Sequence, residues 1–192
     1  STLENAVRVI DRSGARRASP FTIPMMMPNG PSGLVAIDVG AKGPALSVSS
    51  ACASSSDGIG LAWQYINSGA ADVMLAGGAE ATICSVAVAA FDRLGAMSRR
   101  NEDYSMTPQP FDNNRDGLVM GEGSAVLVLE TLDAARARGA NILAEIAGYG
   151  VTGDAFHITA PHENGVGAAA AMRQAIQAAE LDITSVDYIN AH

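Results

Sequence analysis

Apolar residues along this chain alternate between continuous runs and helix-like spacing. Continuous apolar runs predict buried strands, and apolar residues that recur every three or four positions predict helices. The predicted strands are Ala45–Ala51, Asp72–Gly78, Ser124–Glu130, Ile142–Val151 and Val186–Ala191. The predicted helices are Gly58–Ile66, Val86–Leu94, Thr131–Arg138 and Gly165–Glu180, and residues 1–14 also have helix-like spacing. Strands separated by helices of this length predict crossover connections and a layered α/β fold with buried sheets.

Three polar or proline-containing stretches interrupt this pattern. The run Asn67-Ser68-Gly69 predicts the end of a helix. The segment Arg99–Asp116 is rich in Asn, Asp, Pro and Arg and predicts a long surface loop. Prolines on both sides of Met25–Met27 favour a turn there and argue against a regular strand.

Composition narrows the class of protein. Of the 192 residues, 48% are hydrophobic and only 17% are charged, which argues against disorder. The net charge of −8 and the lack of a long basic run make nucleic acid an improbable partner. Two cysteines cannot form a disulfide framework, so an intracellular, cytoplasmic setting is the simplest interpretation. No apolar run is long enough to span a bilayer.

Cys52 is the first candidate for chemistry, because it follows a predicted strand and precedes a predicted helix. A helix N-terminus carries partial positive charge, which favours a thiolate, and its unpaired N–H groups can receive an oxyanion. The small neighbours Ala51, Ala53 and Ser54 would let a substrate approach closely. Cys84, in an apolar run, is instead typical of a buried cysteine that acts as a small hydrophobe.

The three histidines are candidate bases or donors. His192 follows a predicted strand, and α/β folds place functional side chains at the carboxyl edge of the sheet. A role as a mere chain end is equally compatible with its spacing. His157 and His162 fall in a predicted loop, where a solvated histidine is the usual case.

A calcium site in the loop Asp112–Gly123 is a further hypothesis, and the sequence argues against it. Acidic and amide residues alternate as in a calcium loop, but the closing Glu122 is the eleventh residue instead of the twelfth. An Arg115–carboxylate network that braces the loop is the better interpretation. A structural zinc site is also improbable, because the cysteines and histidines are few and scattered.

Seven segments together resemble the β-ketoacyl-acyl-carrier-protein synthases, the elongating condensing enzymes of the thiolase superfamily. They occur in the family's order, with family-like spacing, over the whole chain. The segments are SVSSACASS, ADVMLAGGAE, AFDRLGAMS, PFDNNRDGLVMGEGSAVLVLE, ARGANILAEIAGYG, DAFHITAPHENG and DYINAH. The resemblance implies a thiolase-like α-β-α-β-α layered fold, of which this chain would be the middle portion.

The resemblance also implies roles for individual residues. Cys52 matches the acyl-accepting nucleophile, and His192 matches the first of two catalytic histidines. The other matches are Phe91 and Met26 for the acyl pocket and tunnel, His157 and Thr159 for the phosphopantetheine entrance, and Arg16 and Arg17 for carrier-protein docking.

The chain departs from the family in length. Family members are roughly twice as long, and the lysine and second histidine of their later motif have no counterpart here. Residues 1–130 would then be the latter part of an N-terminal thiolase-like half, and residues 131–192 the beginning of a C-terminal half. A chain limited to these residues is expected to have little or no condensing activity.

The implied reaction is a decarboxylative Claisen condensation in fatty acid elongation, which joins an acyl thioester to malonyl-acyl-carrier-protein through an acyl-Cys52 intermediate. The implied partners are an acyl carrier protein and a second copy of the chain, with no metal or redox cofactor, no nucleic acid and no membrane insertion. A polyketide ketosynthase or another thiolase-superfamily acyltransferase is the alternative. A non-catalytic ketosynthase-like subunit is less favoured, because such subunits typically lack the cysteine.

Overall fold

All residues from 1 to 192 are described by the structure, a computed structural model. The chain divides into two units, each built from two separate stretches. Unit 1 contains Ser1–Ser47 and Gly78–Ala125, and unit 2 contains Val48–Gly77 and Val126–His192. The sequence prediction of a boundary near residue 130 concerns the halves of a longer fold and stays a prediction.

Seven helices and two strands form the regular structure. The helices are α1 (Thr2–Ser13), α2 (Thr22–Met26), α3 (Gly30–Val39), α4 (Ser54–Asn67), α5 (Ser85–Arg93), α6 (Leu132–Ala137) and α7 (Val166–Ala178). Strands β1 (Val73–Glu80) and β2 (Gly123–Glu130) pair with each other in a two-stranded sheet. Four short 3₁₀ turns occur at Ala15–Arg17, Ala51–Ala53, Tyr104–Met106 and Ile183–Ser185.

The predicted α/β class is confirmed, with helices from α4 onward at the predicted places. Helix α4 begins four residues earlier than predicted and ends before Gly69, which adopts a left-handed φ of 72°. The opening segment forms α1 as expected. Met25 and Met26 lie in the short helix α2, so this stretch is not a strand, but it is helical where the prolines favoured a turn.

Three of the five predicted strands are absent, and for these segments the sequence prediction was wrong. Ala45–Ala51, Ile142–Val151 and Val186–Ala191 contain no strand residues. A strand exists only where its backbone groups form a ladder with a neighbour, and no segment of this chain forms one with these three. Most residues of these segments are also exposed, so their apolar composition predicted neither burial nor strand pairing in this chain.

The predicted surface loop of unit 1 is held by Asp116. Its carboxylate accepts hydrogen bonds from Ser98 Oγ at 2.8 Å and from the Arg99 N–H at 2.9 Å, and Arg100 Nε lies 3.7 Å away. The Arg99 N–H and then the Ser98 hydroxyl keep the pKa of Asp116 below its ordinary value. The sequence therefore predicted an arginine–carboxylate network correctly but named the wrong arginine: Arg115 donates to the Asp112 main-chain oxygen.

Unit 2 brings its irregular segment against α7 through glycines. A Cβ at Gly148 would collide with the main chain of Ala175 and lie 2.8 Å from the Ala179 nitrogen. A Cβ at Gly150 would collide with the Ala171 carbonyl and lie 2.7 Å from the Ala175 nitrogen. The two glycines are needed because the backbone of residues 148–150 touches the backbone of the helix.

Few side chains in this chain are fully buried. The buried hydrophobic residues are Ala62, Ala76 and Ala135, all in unit 2. The accessible area is 14672 Å², whereas a folded monomer of this mass has about 8,600 Å². The chain thus leaves large apolar side chains exposed, including Leu34 and Ile37 of α3 at 70% and 79%. None of the helices is both long and apolar enough to cross a bilayer.

The contact between Gly150 and α7 predicts a specific loss of stability. In the full-length protein, we expect Gly150→Ala to lower the free energy of unfolding by about 1–3 kcal/mol, because the added methyl group must push two main-chain segments apart. Chemical denaturation measures this change. The matched control is Gly153→Ala, where a Cβ meets nothing within 4 Å. If both variants unfold at the same denaturant concentration, the close packing on α7 is wrong.

Candidate functional site

Cys52 lies in a 3₁₀ turn, Ala51–Ala53, that leads directly into α4. Ala51 adopts a φ of 53°, in the left-handed region that residues with a Cβ rarely occupy. Such a conformation costs about 1–2 kcal/mol, so other contacts must hold it. Cys52 therefore lies at the start of a helix and directly follows a residue that is held in the left-handed conformation.

Two serines hold the main chain on both sides of Ala51. The Ser50 N–H donates to Ser54 Oγ at 2.9 Å, and the Ser54 hydroxyl donates to the Ala51 carbonyl at 2.7 Å. The Ser54 hydroxyl thus bridges the Ser50 N–H and the Ala51 carbonyl. This short-range pair of hydrogen bonds explains why α4 begins with a serine and not with an alanine.

Asp57 ties this turn to the other part of unit 2. One carboxylate oxygen accepts a hydrogen bond from Ser50 Oγ, and the other accepts from the Tyr149 hydroxyl at 2.7 Å. The Ser50 and then the Tyr149 hydrogen bond lower the pKa of Asp57 below its ordinary value of 3.8. The Tyr149 ring packs directly against Gly60 of α4, where a Cβ would overlap it.

The Cys52 side chain is exposed, and its main-chain N–H makes no hydrogen bond in the structure. The next N–H, of Ala53, donates to the Ser50 carbonyl at 3.1 Å. An exposed thiol beside an unpaired N–H is suited to nucleophilic attack on a carbonyl, because the N–H can stabilise the oxyanion that forms.

Cys84 corrects one sequence prediction. It is half-buried, not buried, and lies immediately before α5, so both cysteines stand at the beginning of a helix. The neighbouring Ile83 N–H is occupied, because it donates to Glu122 at 2.8 Å. The Cys84 N–H also makes no hydrogen bond in the structure, so the exposed thiol and the left-handed residue before it, and not an unpaired N–H or the helix start, distinguish Cys52 from Cys84.

His157 and Thr159 are brought together in an exposed turn of unit 2. The His157 Nδ1 accepts hydrogen bonds from the Thr159 N–H at 3.2 Å and from the Ala160 N–H at 3.0 Å. Since a main-chain N–H can only donate, Nδ1 is unprotonated and the neutral ring carries its proton on Nε2. The His157 Nε2–H is therefore available as a donor to a ligand.

The other predicted site residues lie on separate elements. His192 is exposed at the end of the chain in unit 2, and no hydrogen bond joins it to Cys52. In unit 1, Phe91 lies in α5 and Met26 in α2, both partly exposed. Arg16 and Arg17 lie in the 3₁₀ turn after α1, and both are exposed. Neither arginine takes part in an ion pair. The ion pairs of the structure are Ser1–Glu4, Arg8–Glu4, Arg99–Asp92, Arg100–Asp116 and Arg138–Glu130.

The calcium-loop hypothesis gains no support from the structure. No group of three acidic, histidine or cysteine side chains converges anywhere in the chain. Within the loop, Asp112 accepts from the Asn114 N–H at 2.6 Å, and Asp116 is occupied by Ser98, Arg99 and Arg100. The alternating carboxylates therefore act as acceptors for the loop itself.

Sequence comparisons decide the family. The model of the "Beta-ketoacyl synthase, N-terminal domain" matches residues 2–135, and that of the C-terminal domain matches residues 143–192. The chain belongs to the beta-ketoacyl synthase family. This confirms the resemblance on which the site residues were assigned.

Relatives of this beta-ketoacyl synthase chain extend well beyond it. The 3-oxoacyl-[acyl-carrier-protein] synthase 2 of Staphylococcus aureus is 47% identical over 191 residues, which are 100% of this chain and 47% of that protein. The chain therefore spans about half the length of the curated relatives it matches.

Solved structures show the same thiolase-like ketosynthase fold. A beta-ketoacyl synthase from Burkholderia phymatum matches with a TM-score of 0.91 and 42% identity, over 100% of this chain and 47% of its own. A chain of a type II PKS complex matches with a TM-score of 0.95 and 32% identity, over 100% of this chain and 48% of its own. That complex contains an acyl-carrier protein and its ketosynthase bound to the hexaketide.

Sequence reasoning missed Ser50, Asp57 and Tyr149. Ser50 and Asp57 are within five residues of Cys52, and an acidic residue in a first helical turn is so common that it gave no signal. Tyr149 is 92 positions from Asp57. Only Gly60, which lies inside the predicted helix Gly58–Ile66, could have indicated that a ring packs there.

The Tyr149–Asp57 hydrogen bond predicts a pH dependence. Burial, and then the hydrogen bond to the Asp57 carboxylate, raise the pKa of Tyr149 to about 12, above its ordinary value of 10.0. Folding favours the protonated Tyr149 phenol, so the raised pKa adds to the free energy of unfolding. This contribution is fully present below pH 10 and is lost as the pH rises through about 12. An ultraviolet titration of tyrosinate should show a late phase that Tyr149→Phe removes. Asp57→Asn should move this phase to lower pH, and an unchanged late phase in Tyr149→Phe would contradict the assignment.

Proposed function

We propose that the protein is a 3-oxoacyl-[acyl-carrier-protein] synthase that elongates fatty acids by decarboxylative Claisen condensation. The observation that carries the proposal is an exposed Cys52 on a strained turn at the start of α4, beside its own unpaired N–H. Whole-chain identity of 47% to a protein of that name supports it. Cys52 is the nucleophile in this proposal.

The first half of the proposed reaction transfers an acyl group to Cys52. The thiolate attacks the thioester carbonyl, and the negative oxygen of the tetrahedral intermediate lies against the Cys52 N–H. The intermediate collapses to acyl-Cys52 and releases the carrier's thiol, which takes up a proton. The small residues Ala51 and Ala53 leave room for this attack.

The second half forms the carbon–carbon bond. A malonyl thioester loses carbon dioxide, and His192 donates a hydrogen bond to the enolate oxygen as charge develops there. The enolate carbon attacks the acyl-Cys52 carbonyl, the Cys52 thiolate leaves, and a 3-oxoacyl product two carbons longer is released. Decarboxylation drives the step, and we propose that no resident cofactor takes part.

The carrier and the acyl chain would meet residues on four separate elements. Arg16 and Arg17 offer exposed, unpaired positive charge to an acidic carrier protein, against the net charge of −8. The His157 Nε2–H and Thr159 would contact the phosphopantetheine arm, and Phe91 and Met26 the acyl chain. We also propose a cytoplasmic homodimer, in which exposed apolar residues of α3 become covered.

A polyketide ketosynthase is the second candidate. The TM-score of 0.95 to a chain of a type II PKS complex favours it, whereas the higher sequence identity to the fatty acid enzyme favours the first. Both candidates share acyl transfer to Cys52. The product formed from malonyl-acyl-carrier-protein after one or several condensations distinguishes them.

Acyl transfer to Cys52 is directly testable by mass spectrometry. In the full-length protein incubated with an acyl-pantetheine thioester, we expect one acyl adduct, on the peptide that contains Cys52. Cys52→Ala should abolish the adduct, because the thiol of the other cysteine, Cys84, is half-buried. Cys84→Ala is the matched control and should retain it. Equal modification of both cysteines, or none in folded protein, would exclude Cys52 as the nucleophile.

His192 should separate the two halves of the reaction. We expect His192→Ala in the full-length protein to lower condensation with malonyl-acyl-carrier-protein by about 10²–10³-fold, because a donor to the enolate oxygen is lost. Acylation of Cys52 should change by less than about threefold, since that step does not use His192. His162→Ala is the control for loss of a histidine that has no role in the proposed reaction; unlike His192, His162 is half-buried. An equal loss in both half-reactions would contradict the assigned role.

A further inference from the structure

Asp57 has no place in the reaction proposed above, yet it connects to the turn that carries Cys52. Its carboxylate accepts from Ser50 on one oxygen and from Tyr149 on the other. Resting on the proposed function, we propose that Asp57 is a positioning residue that fixes the Cys52 thiol for acyl transfer by holding Ser50.

The path from Asp57 to Cys52 is short. Ser50 stands two residues before Cys52 and is fastened twice, through its hydroxyl to Asp57 and through its N–H to Ser54 Oγ at 2.9 Å. Ala51, between Ser50 and Cys52, has the left-handed φ of 53°. Because Ala51 alone separates Ser50 from Cys52, a rotation of the backbone at Ser50 displaces the Cys52 thiol and its N–H together.

The Asp57 carboxylate is itself held in place by Tyr149. The Tyr149 hydroxyl donates to it at 2.7 Å, and the ring lies against Gly60, one helical turn after Asp57. Tyr149 is adjacent to Gly148 and Gly150, whose backbone contacts α7. The acceptor for Ser50 is therefore anchored to a second part of unit 2 and not only to its own helix.

Charge makes both contacts of Asp57 strong. Hydrogen bonds to an ionised carboxylate are roughly twice as strong as those between neutral groups. The Ser50 and Tyr149 hydroxyls keep the pKa of Asp57 below its ordinary value, so the group is a carboxylate at neutral pH. The pair of hydroxyl donors is thus matched to a charged acceptor with two oxygens.

Positioning and general fold stability affect two reactions of Cys52 differently. Acyl transfer needs the sulfur and an oxyanion donor aligned on one carbonyl, and a displacement of about 1 Å can cost about 10²-fold in rate. Alkylation by iodoacetamide needs no such alignment, because the reagent approaches an exposed thiol freely. A positioning role therefore predicts loss of acyl transfer with alkylation retained.

The test compares both reactions in variants of the full-length protein. We expect Asp57→Ala to lower the maximal rate of Cys52 acylation by an acyl-pantetheine thioester about 10–100-fold. The half-saturating thioester concentration and the iodoacetamide rate should each change less than about threefold. Asp57→Asn, which keeps one acceptor oxygen but loses the charge, should recover only part of the lost rate. Asp133→Ala removes a carboxylate from the first turn of α6 and is the matched control, with no expected change.

A double variant tests whether Asp57 acts through Ser50. If it does, Ser50→Ala combined with Asp57→Ala should be no slower than the slower single variant, within about twofold. Multiplied losses would show that the two residues act independently and would overturn the inference.

The remaining outcomes separate this inference from the proposed function. If wild-type protein acquires no acyl group on Cys52, the proposed function is wrong and the inference falls with it. If the wild type is acylated and Asp57→Ala is acylated equally fast, only the inference is wrong. If Asp57→Ala exposes Cys84 to rapid alkylation as well, Asp57 serves fold stability, and the positioning role is overturned.

Discussion

The left-handed backbone of Ala51 is the constraint on which the site depends. A residue with a Cβ adopts this conformation at a cost, and here the conformation persists because side chains on both sides of it are hydrogen bonded. The result is a cysteine whose sulfur is exposed and whose N–H is not consumed by the helix that follows. The strained residue, Ala51, therefore directly precedes the residue whose N–H is unpaired, Cys52.

The sequence was most informative where structure is local. The helices from α4 onward, the loop at Arg99–Asp116 and the position of Cys52 before a helix follow from spacing, caps and composition. These features are decided within a few residues, so a pattern of a few residues carries them. The seven family-like segments together also indicate the family, and the match to both family domains confirms it.

The sequence was least informative where distant segments must meet. Three apolar runs have the composition of strands, but they lack neighbours to pair with. The contact between Asp57 and Tyr149 joins residues far apart in the chain. The arginine that accompanies Asp116 is also chosen by geometry, since three candidates lie at positions 99, 100 and 115. In each case the type of residue could be predicted from the sequence, but its partner depends on how the chain folds.

Gly148 and Gly150 have a consequence for how this part of the protein can diverge. Since main-chain atoms touch at both positions, the distance between this segment and α7 is set by the backbone and not by the volume of any side chain. Exposed residues of α7 can therefore accumulate substitutions over evolutionary time without moving Tyr149, which lies between the two glycines. The two glycines therefore keep the position of Tyr149, and with it the Tyr149–Asp57–Ser50 hydrogen bonds, independent of substitutions on the exposed face of α7.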